Sequence, residues 1–478
     1  MNRLKTFAFA AALALAAAPA AAQHGTTPPP PGPLRPFQVP APQEFTLSNG
    51  LRVVVVRQAA LPIVNGRIIV RSGALYEPAE KNGVAQLTAA LLREGAAGMT
   101  ASEISSRMER LGAQFQTGAS YASAFANVTA LKPVFAEALS LAARTVMQPT
   151  FPESEFTRVR TQAIAGYAQN QSTVEGLADE AFSRALFQPA APYSRPAGGT
   201  RATLEKLSLQ DVQEWHHRMY SPSNAILLLV GDVTQAEARQ LAQQALGAWT
   251  GPAVTLPAVQ NPGQPVQATR IILVDRPGSV QSGVDVGQVG IGFSDPSYFP
   301  FLGLSHVLGG GFKARANMNL RERHGWTYGS FTSFSPRQGT GVFEMYASVR
   351  TNATDSAVAE MVREYRRIAS EPVPAEELSS ALANLVGSFP NTVQTVQGLS
   401  GRIETLLLYG LPLSFWSTYR ERVSGVTSAD VARVGQQLLK PNAVTVVVAG
   451  DLSKIEAPIR ALNLGTVEVW DPTGNKVR

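Results

Sequence analysis

Cysteine is absent from this chain of 478 residues, and histidine occurs only five times. The lack of cysteine excludes disulfides, thiol nucleophiles and cysteine-ligated metals. Side chains at adjacent helical positions point about 100° apart, so the neighbouring His216 and His217 cannot chelate one ion together. A zinc site built from this chain alone would therefore be hard to assemble. The five histidines are His24, His216, His217, His306 and His324.

Charge is also scarce. Charged residues make up 16% of the chain, below the about 25% typical of soluble domains, and the formal net charge is only +6. No basic run interleaved with aromatic residues occurs, which argues against nucleic acid as a partner. The glycine run 309–311 lacks the Lys-Ser/Thr pair of a phosphate-binding loop, and no Gly-x-Ser-x-Gly elbow of a serine hydrolase is present. The low charge fits a protein that buries surface against itself or a partner.

The amino terminus has the pattern of an export signal. Arg3 and Lys5 precede an apolar run over residues 7–18, which is too short to span a bilayer, and small residues that suit cleavage follow it. We therefore predict a signal peptide over residues 1–22, a periplasmic mature chain, and no membrane span after signal removal. Residues 23–43 contain eight prolines and no apolar period, which predicts an extended tether.

The rest of the chain contains two similar segments. Each ends on an apolar strand followed by Gly-Asp, at Gly231-Asp232 in the first and at Gly450-Asp451 in the second. Asn49-Gly50 lies between apolar strands near the start of the first segment and predicts a hairpin there. Such a pair of segments indicates two copies of one α+β unit.

These observations define the predicted domains and fold class. We expect an N-terminal domain over 44–250, a proline-containing linker over 251–268 and a C-terminal domain over 269–470. The fold class is α+β, with two similar domains in tandem. Each domain is expected to be a mostly antiparallel sheet with helices packed on one side.

A helix predicted from Gly83 carries the first resemblance to a known family. With the hairpin before it and Arg-Leu-Gly at 110–112 after it, this segment resembles the opening of insulinase/pitrilysin-type metallopeptidases. That family uses the inverted zinc motif H-x-x-E-H, which places two imidazoles on one helical face and a carboxylate near the metal-bound water. In this chain the three positions are Gln86, Ala89 and Ala90, none of which can bind zinc usefully or act as a general base.

The family's third zinc ligand is also missing. It is a glutamate on a later helix, at positions that correspond to residues 165–167 here. No Asp or Glu lies between Phe156 and Val174. The resemblance therefore implies a half that has the family's shape and holds no zinc.

The second half keeps its part of the family pattern. The segment Leu308 to Gly329 resembles the C-terminal motif, in which an arginine is followed seven residues later by a tyrosine, here Arg321 and Tyr328. In the family these side chains reach toward the zinc half, grip the substrate backbone and stabilise the developing oxyanion, and a guanidinium and a phenol are suitable donors for that task. Without the motif, Arg321 would be interpreted as a surface ion-pair partner and Tyr328 as the start of a core strand. His324 lies in the same segment without an assigned role.

The resemblance covers residues 44–462 and implies that the chain works as one subunit of a pair. Family chains of this length pair, and two chains close around a chamber. We therefore expect a metal-free subunit of a periplasmic heterodimeric zinc metallopeptidase, with no cofactor in this chain, zinc in a homologous partner, and Arg321 and Tyr328 acting in trans on peptide substrates. In the family, peptides add to a sheet edge whose strand matches residues 114–125 here, and without zinc in this half we expect that strand to be idle.

Two other interpretations remain open at the level of sequence. The chain could be a catalytically inert peptide-binding or scaffold protein of the same fold, although the retained Arg321 and Tyr328 argue against it. An independent hydrolase is disfavoured by the missing nucleophile motifs. By itself the chain is predicted to be inactive as an enzyme.

Overall fold

The computed structural model describes residues 38–260, 262–264 and 266–478. The predicted signal peptide 1–22 lies outside these residues, as do most of the predicted tether 23–43 and two positions of the predicted linker 251–268. No described helix is both long enough and apolar enough to cross a membrane.

The first half of the described chain alternates short strands with longer helices. Its strands are β1 (Gln43–Thr46), β2 (Arg52–Arg57), β3 (Ile63–Val70), β4 (Gly95–Ala96), β5 (Met99–Thr100), β6 (Gln114–Ala119), β7 (Ala124–Leu131) and β8 (Ala225–Gly231). Its helices are α1 (Val84–Leu91), α2 (Ala101–Arg110), α3 (Lys132–Met147), α4 (Glu153–Gln171), α5 (Val174–Leu186), α6 (Arg201–Leu204), α7 (Leu209–Met219) and α8 (Gln235–Leu246).

The second half repeats this alternation. Its strands are β9 (Arg270–Asp275), β10 (Gln281–Gly290), β11 (Thr327–Ser335), β12 (Gly341–Arg350), β13 (Thr445–Gly450) and β14 (Thr466–Trp470). Its helices are α9 (Tyr298–Gly309), α10 (Arg315–Asn317), α11 (Thr354–Ser370), α12 (Ala375–Val393), α13 (Val396–Tyr409), α14 (Tyr419–Ser424), α15 (Ser428–Leu438) and α16 (Leu452–Ala461). A π-helical turn, Met318–Arg323, follows α10 directly.

The first sheet has the strand order β1-β2-β8-β3-β7-β6, and its neighbours are antiparallel except for β2 and β8. Strand β8 is buried along its whole length, as expected for an apolar strand covered on both faces. Gly231 ends β8 at φ +140°, and a Cβ at this position would lie 2.2 Å from the carbonyl oxygen of Ile63. Only glycine allows this close approach of β8 to β3.

The second sheet repeats the first strand for strand. Its order is β11-β12-β10-β13-β9-β14, so β11, β12, β10, β13 and β9 take the places of β6, β7, β3, β8 and β2. The two sheets differ at one edge, where β1 pairs antiparallel with β2 and β14 pairs parallel with β9. The predicted fold class is confirmed: the chain consists of two similar α+β units, each with a mostly antiparallel sheet.

Each half contributes one helix that packs on the sheet of the other half. Helix α5 of the first half packs against β10 and β13, and helix α13 of the second half packs against β3 and β8. Adjacent strand residues point to opposite faces. Gly66 of β3 accordingly faces the side chains of α3, whereas Arg67 faces Glu404 of α13. Each sheet therefore carries helices of its own half on one face, as predicted, and a helix of the other half on the second face.

Candidate functional site

Helix α1 occupies the place of the family's zinc helix and is held by a buried carboxylate. Glu77 accepts hydrogen bonds from the backbone N–H groups of Gly83 (2.9 Å) and Ala85 (2.7 Å) and from the side chain of Asn82 (3.0 Å). Burial raises the pKa of Glu77, and these hydrogen bonds oppose that rise. The Glu77 carboxylate thus holds the first turn of α1, because a negative charge is favourable at a helix N-terminus.

The three zinc-motif positions on α1 have structural roles. The Gln86 side-chain oxygen accepts a hydrogen bond from the backbone N–H of Ala119 at 2.9 Å, which ties α1 to the end of β6. Ala89 is fully buried and packs in the core of the first half, and Ala90 packs against that core. None of the three offers a metal ligand in this arrangement.

The position of the third ligand is equally unsuited to zinc. Residues 165–167 lie on α4, and the only polar side chain among them is that of Tyr167. Its phenol donates a hydrogen bond to Glu180 on α5 at 3.2 Å. Burial, followed by the charge of Glu180, raises the pKa of Tyr167 to about 12, so the phenol stays protonated. The donor set needed for zinc is absent at these four positions, and no chemical step is assigned to zinc in this half.

The segment of the second half that carries Arg321 is anchored to neighbouring helices. Arg315 forms two 2.7 Å hydrogen bonds with the carboxylate of Glu377 on α12. The buried Asn319 donates to Glu360 (2.7 Å) and Glu364 (2.8 Å), both on α11. These contacts fix the π-helical turn Met318–Arg323, a rare conformation that is often found at functional sites.

Asn317 completes this support from within the segment. Its amide nitrogen donates to the Phe312 carbonyl at 2.8 Å, and its side-chain oxygen accepts from the backbone N–H of Ser330 at 3.3 Å. The turn is thereby joined to β11. Arg315, Asn317 and Asn319 are not among the site residues predicted from sequence. Their close spacing beside an arginine and tyrosine motif is the signal that could have drawn attention to them.

Tyr328 lies at a β-bulge on an edge strand. Strand β11 is the outermost strand of the second sheet, and its register to β12 shifts between Thr327 and Ser330. The Thr327 hydroxyl donates to the carbonyl of Gly329 at 2.8 Å and accepts from its backbone N–H at 3.1 Å, which stabilises the bulge. Bulges re-aim side chains, and Tyr328 is 89% exposed. The interpretation of Tyr328 as a core residue is therefore wrong.

Arg321 is held loosely beside the bulge. Its Nε lies 3.3 Å from a carboxylate oxygen of Glu322, and its guanidinium carbon lies 4.9 Å from the centre of the exposed Phe312 ring. The side chain is 40% exposed, so the pair with Glu322 contributes little and can be exchanged for another partner. The turn that carries Arg321 packs against β11, which places Arg321 and Tyr328 on touching elements.

Two of the remaining histidines are held by ring or side-chain contacts. His324 stacks on Trp326 with ring centres 4.1 Å apart, so it braces the connection between Arg321 and Tyr328. His306 hydrogen-bonds the side-chain oxygen of Asn384 at 3.0 Å.

Comparisons with known proteins agree with this geometry. The family described as insulinase (peptidase family M16) matches residues 52–199, and the one described as peptidase M16 inactive domain matches residues 206–385. An uncharacterized zinc protease of Rickettsia bellii is 22% identical over 84% of this chain and 96% of its own length. The mitochondrial-processing peptidase subunit beta of Dictyostelium discoideum is 25% identical over 85% of this chain and 88% of its own length.

A solved structure extends the likeness to three dimensions. The crystal structure of a peptidase M16 inactive domain from Pseudomonas fluorescens superposes with a TM-score of 0.80 at 27% identity, and covers 86% of this chain and 98% of that one. The two matched segments, 52–199 and 206–385, together span most of the described residues. The chain belongs to the insulinase (M16) family of peptidases, as an inactive-type member without the zinc-binding residues of its first half.

Proposed function

We propose that this chain is the metal-free subunit of a periplasmic heterodimeric zinc peptidase and acts on peptides held by a zinc-bearing homologous partner. Arg321 and Tyr328 supply hydrogen bonds in trans to the substrate backbone and to the oxyanion that forms on its scissile carbonyl. The observation that carries the proposal is the exposed Tyr328 at a stabilised bulge, beside an arginine that has only a weak surface partner.

The arrangement of donors supports a role in binding developing negative charge. Donors that are fixed before the reaction stabilise an oxyanion better than mobile ones, because little reorganisation is then needed. The bulge fixes the backbone of Tyr328, and the anchored turn fixes the backbone of Arg321, so only the two side chains have to become ordered when a peptide binds. No hydrogen bond to the Tyr328 phenol occurs among the described residues, so the phenol is free to donate to a bound peptide.

The surface around these residues suits a protein or peptide partner. Large apolar side chains are exposed before and on this turn, on the adjoining edge strand and on its neighbour: Phe312 (55%), Met318 (44%), Phe331 (38%) and Tyr346 (40%). Exposed apolar side chains that cluster in this way are typical of interaction surfaces. By contrast, at the corresponding edge of the first sheet, β6, the backbone N–H of Ala119 is already bonded to Gln86.

The first test is a metal and activity measurement on the purified chain, alone and mixed with a zinc-motif homologue from the same cell. We expect no stoichiometric zinc and no cleavage of unfolded peptides by the chain alone, and cleavage that appears or rises in the mixture. No cleavage by the chain alone and no cleavage by the mixture would favour the alternative of an inert scaffold. Stoichiometric zinc and cleavage by the chain alone would overturn the proposal.

The second test separates a trans-catalytic role from mere assembly. In the active mixture, Tyr328→Phe and Arg321→Ala are each expected to lower kcat on the order of 100-fold, the loss seen when an oxyanion donor is removed. Tyr346→Phe and Arg323→Ala remove an exposed phenol and an exposed guanidinium nearby and serve as matched controls. Unchanged rates for both Tyr328→Phe and Arg321→Ala would refute the assigned roles.

A further inference from the structure

Three carboxylates from distant parts of the chain meet between the two halves. Asp179 lies on α5, Asp285 on β10 and Glu344 on β12, and one oxygen from each lies within 4.8 Å of the other two. Glu344 is directly across from Gly287 in the register of β10 and β12, so its side chain and that of Asp285 lie on the same face of the second sheet. Helix α5 covers this face and brings Asp179 over it.

No positively charged side chain described by the structure is in direct contact with the cluster. Asp285 is only 3% exposed, and its Oδ2 atom is buried without a hydrogen-bond partner among the described residues. Within that part of the chain, no lysine, arginine or histidine nitrogen lies within 4.0 Å of any of the three carboxylates. A buried carboxylate oxygen without a partner is energetically costly, and two neighbouring carboxylates increase the cost.

The pKa values of Asp285 and Glu344 reflect the burial of these carboxylates and their closeness to one another. Burial, followed by the charge of Glu344, raises the pKa of Asp285 well above its ordinary value. Burial and the charge of Asp179 raise the pKa of Glu344 to about 7, although Arg337 opposes the shift. Either protons or a bound cation would offset the repulsion among these three closely spaced carboxylates.

We propose that Asp179, Asp285 and Glu344 bind a hard divalent cation of the Ca²⁺ or Mg²⁺ type, which ties helix α5 of the first half to the sheet of the second. Oxygen atoms that share a Ca²⁺ ion at about 2.3–2.6 Å lie up to about 5 Å apart, which matches the observed spacing. The donor set contains only carboxylate oxygens and therefore suits Ca²⁺ or Mg²⁺ better than a soft metal. Asp179 is exposed and gives the ion a path from solvent. The site is independent of the proposed peptidase partnership.

The experiment uses the full chain, freed of metal with a chelator, and measures thermal unfolding and heat of binding with CaCl₂, MgCl₂ and ZnCl₂ added separately. We expect Ca²⁺ or Mg²⁺ at millimolar concentration to raise Tm, and the two salts show which ion is preferred. Asp285→Asn is expected to abolish this rise. Asparagine has nearly the same shape as aspartate and carries no charge. The metal-free variant should therefore unfold at the same temperature as the metal-free parent or at a higher one.

A matched control distinguishes the site from general screening of charge. Glu153→Gln removes one exposed acidic group on α4, outside the cluster, and should keep the full rise in Tm. No rise and no heat with either Ca²⁺ or Mg²⁺ would overturn the proposal. An equal rise in Asp285→Asn, or a rise with Zn²⁺ alone, would overturn it too. None of these outcomes depends on a partner chain or on peptide cleavage.

Discussion

At the scale of single residues, the imidazole of His216 serves packing. The ring of His216 stacks on Tyr220 with centres 4.5 Å apart and meets the edge of Phe151 at 5.4 Å. Its Nε2 donates to the Val146 carbonyl at 2.8 Å. Burial lowers the pKa of His216 to about 4, with the hydrogen bond to Val146 opposing the shift. The folded chain therefore keeps this imidazole neutral.

This burial predicts a loss of stability in weak acid. The unfolded chain protonates His216 below about pH 6.5, and the folded chain resists until about pH 4. Stability is therefore lost as the pH falls from about 6.5 to about 4, and His216 accounts for on the order of 3 kcal/mol of that loss. Urea unfolding at several pH values should show a flatter profile for His216→Gln than for the parent.

The neighbouring histidine provides the control for this measurement. His217 is exposed on the same helix, so His217→Gln should keep the steep pH dependence of the parent chain. If His216→Gln and the parent have the same slope between pH 6.5 and pH 4, another group is responsible for the loss of stability.

At the scale of secondary-structure elements, the bulge in β11 determines where Tyr328 points. A regular strand would pair residue by residue with β12, but one extra residue lies between Thr327 and Ser330. The hydroxyl of Thr327 satisfies both backbone groups of Gly329, which the bulge would otherwise leave without partners. A threonine at the start of the strand thus stabilises the exposed position of the tyrosine.

Replacement of this hydroxyl tests the role of the bulge. Thr327→Val keeps the shape and removes both hydrogen bonds, so it should lower the free energy of unfolding by about 1 kcal/mol. In the active mixture it should also lower kcat, although Tyr328 is unchanged. Thr255→Val, at an exposed threonine, is the control and should change neither quantity. Full activity of Thr327→Val would mean that the bulge does not position Tyr328.

At the scale of the whole molecule, the helices that pack on the sheet of the other half, α5 and α13, make the two halves one unit. Arg67 on β3 and Glu404 on α13 form a 2.8 Å ion pair with side chains only 18% and 13% exposed. Arg67 also lies 3.7 Å from the centre of the Phe125 ring. Burial raises the pKa of Glu404 even though Arg67 opposes the rise, so the desolvation of the carboxylate outweighs the attraction.

Loss of one member of this pair should be costly. Glu404→Ala leaves the Arg67 charge buried without its partner, and we expect a loss of about 3–5 kcal/mol in the free energy of unfolding. Because α13 covers the first sheet, unfolding followed by circular dichroism and by tryptophan fluorescence should still show one common transition. Glu421→Ala, at an exposed position on α14, should cost less than about 0.5 kcal/mol. A similarly small effect of Glu404→Ala would show that the pair does not hold the halves together.

Several properties of this protein follow from its sequence alone, because they depend on local order. The apolar strands and their turn residues predicted the hairpin at Asn49-Gly50 and the two strand ends at Gly-Asp. The similarity between the two segments predicted two copies of one unit. The missing zinc ligands are likewise a matter of residue identity: neither Gln86 nor an alanine can supply an imidazole or a carboxylate, whatever the fold.

Other properties were decided by the tertiary structure, because they depend on residues that are far apart in the chain. The apolar run of β8 required cover on both faces, but only packing showed that α13 from the other half covers one of them. The bulge that exposes Tyr328 depends on how β11 pairs with β12, and the meeting of Asp179, Asp285 and Glu344 depends on where α5 crosses the second sheet. Local sequence preferences do not encode such long-range contacts, which arise when the whole chain buries its apolar surface.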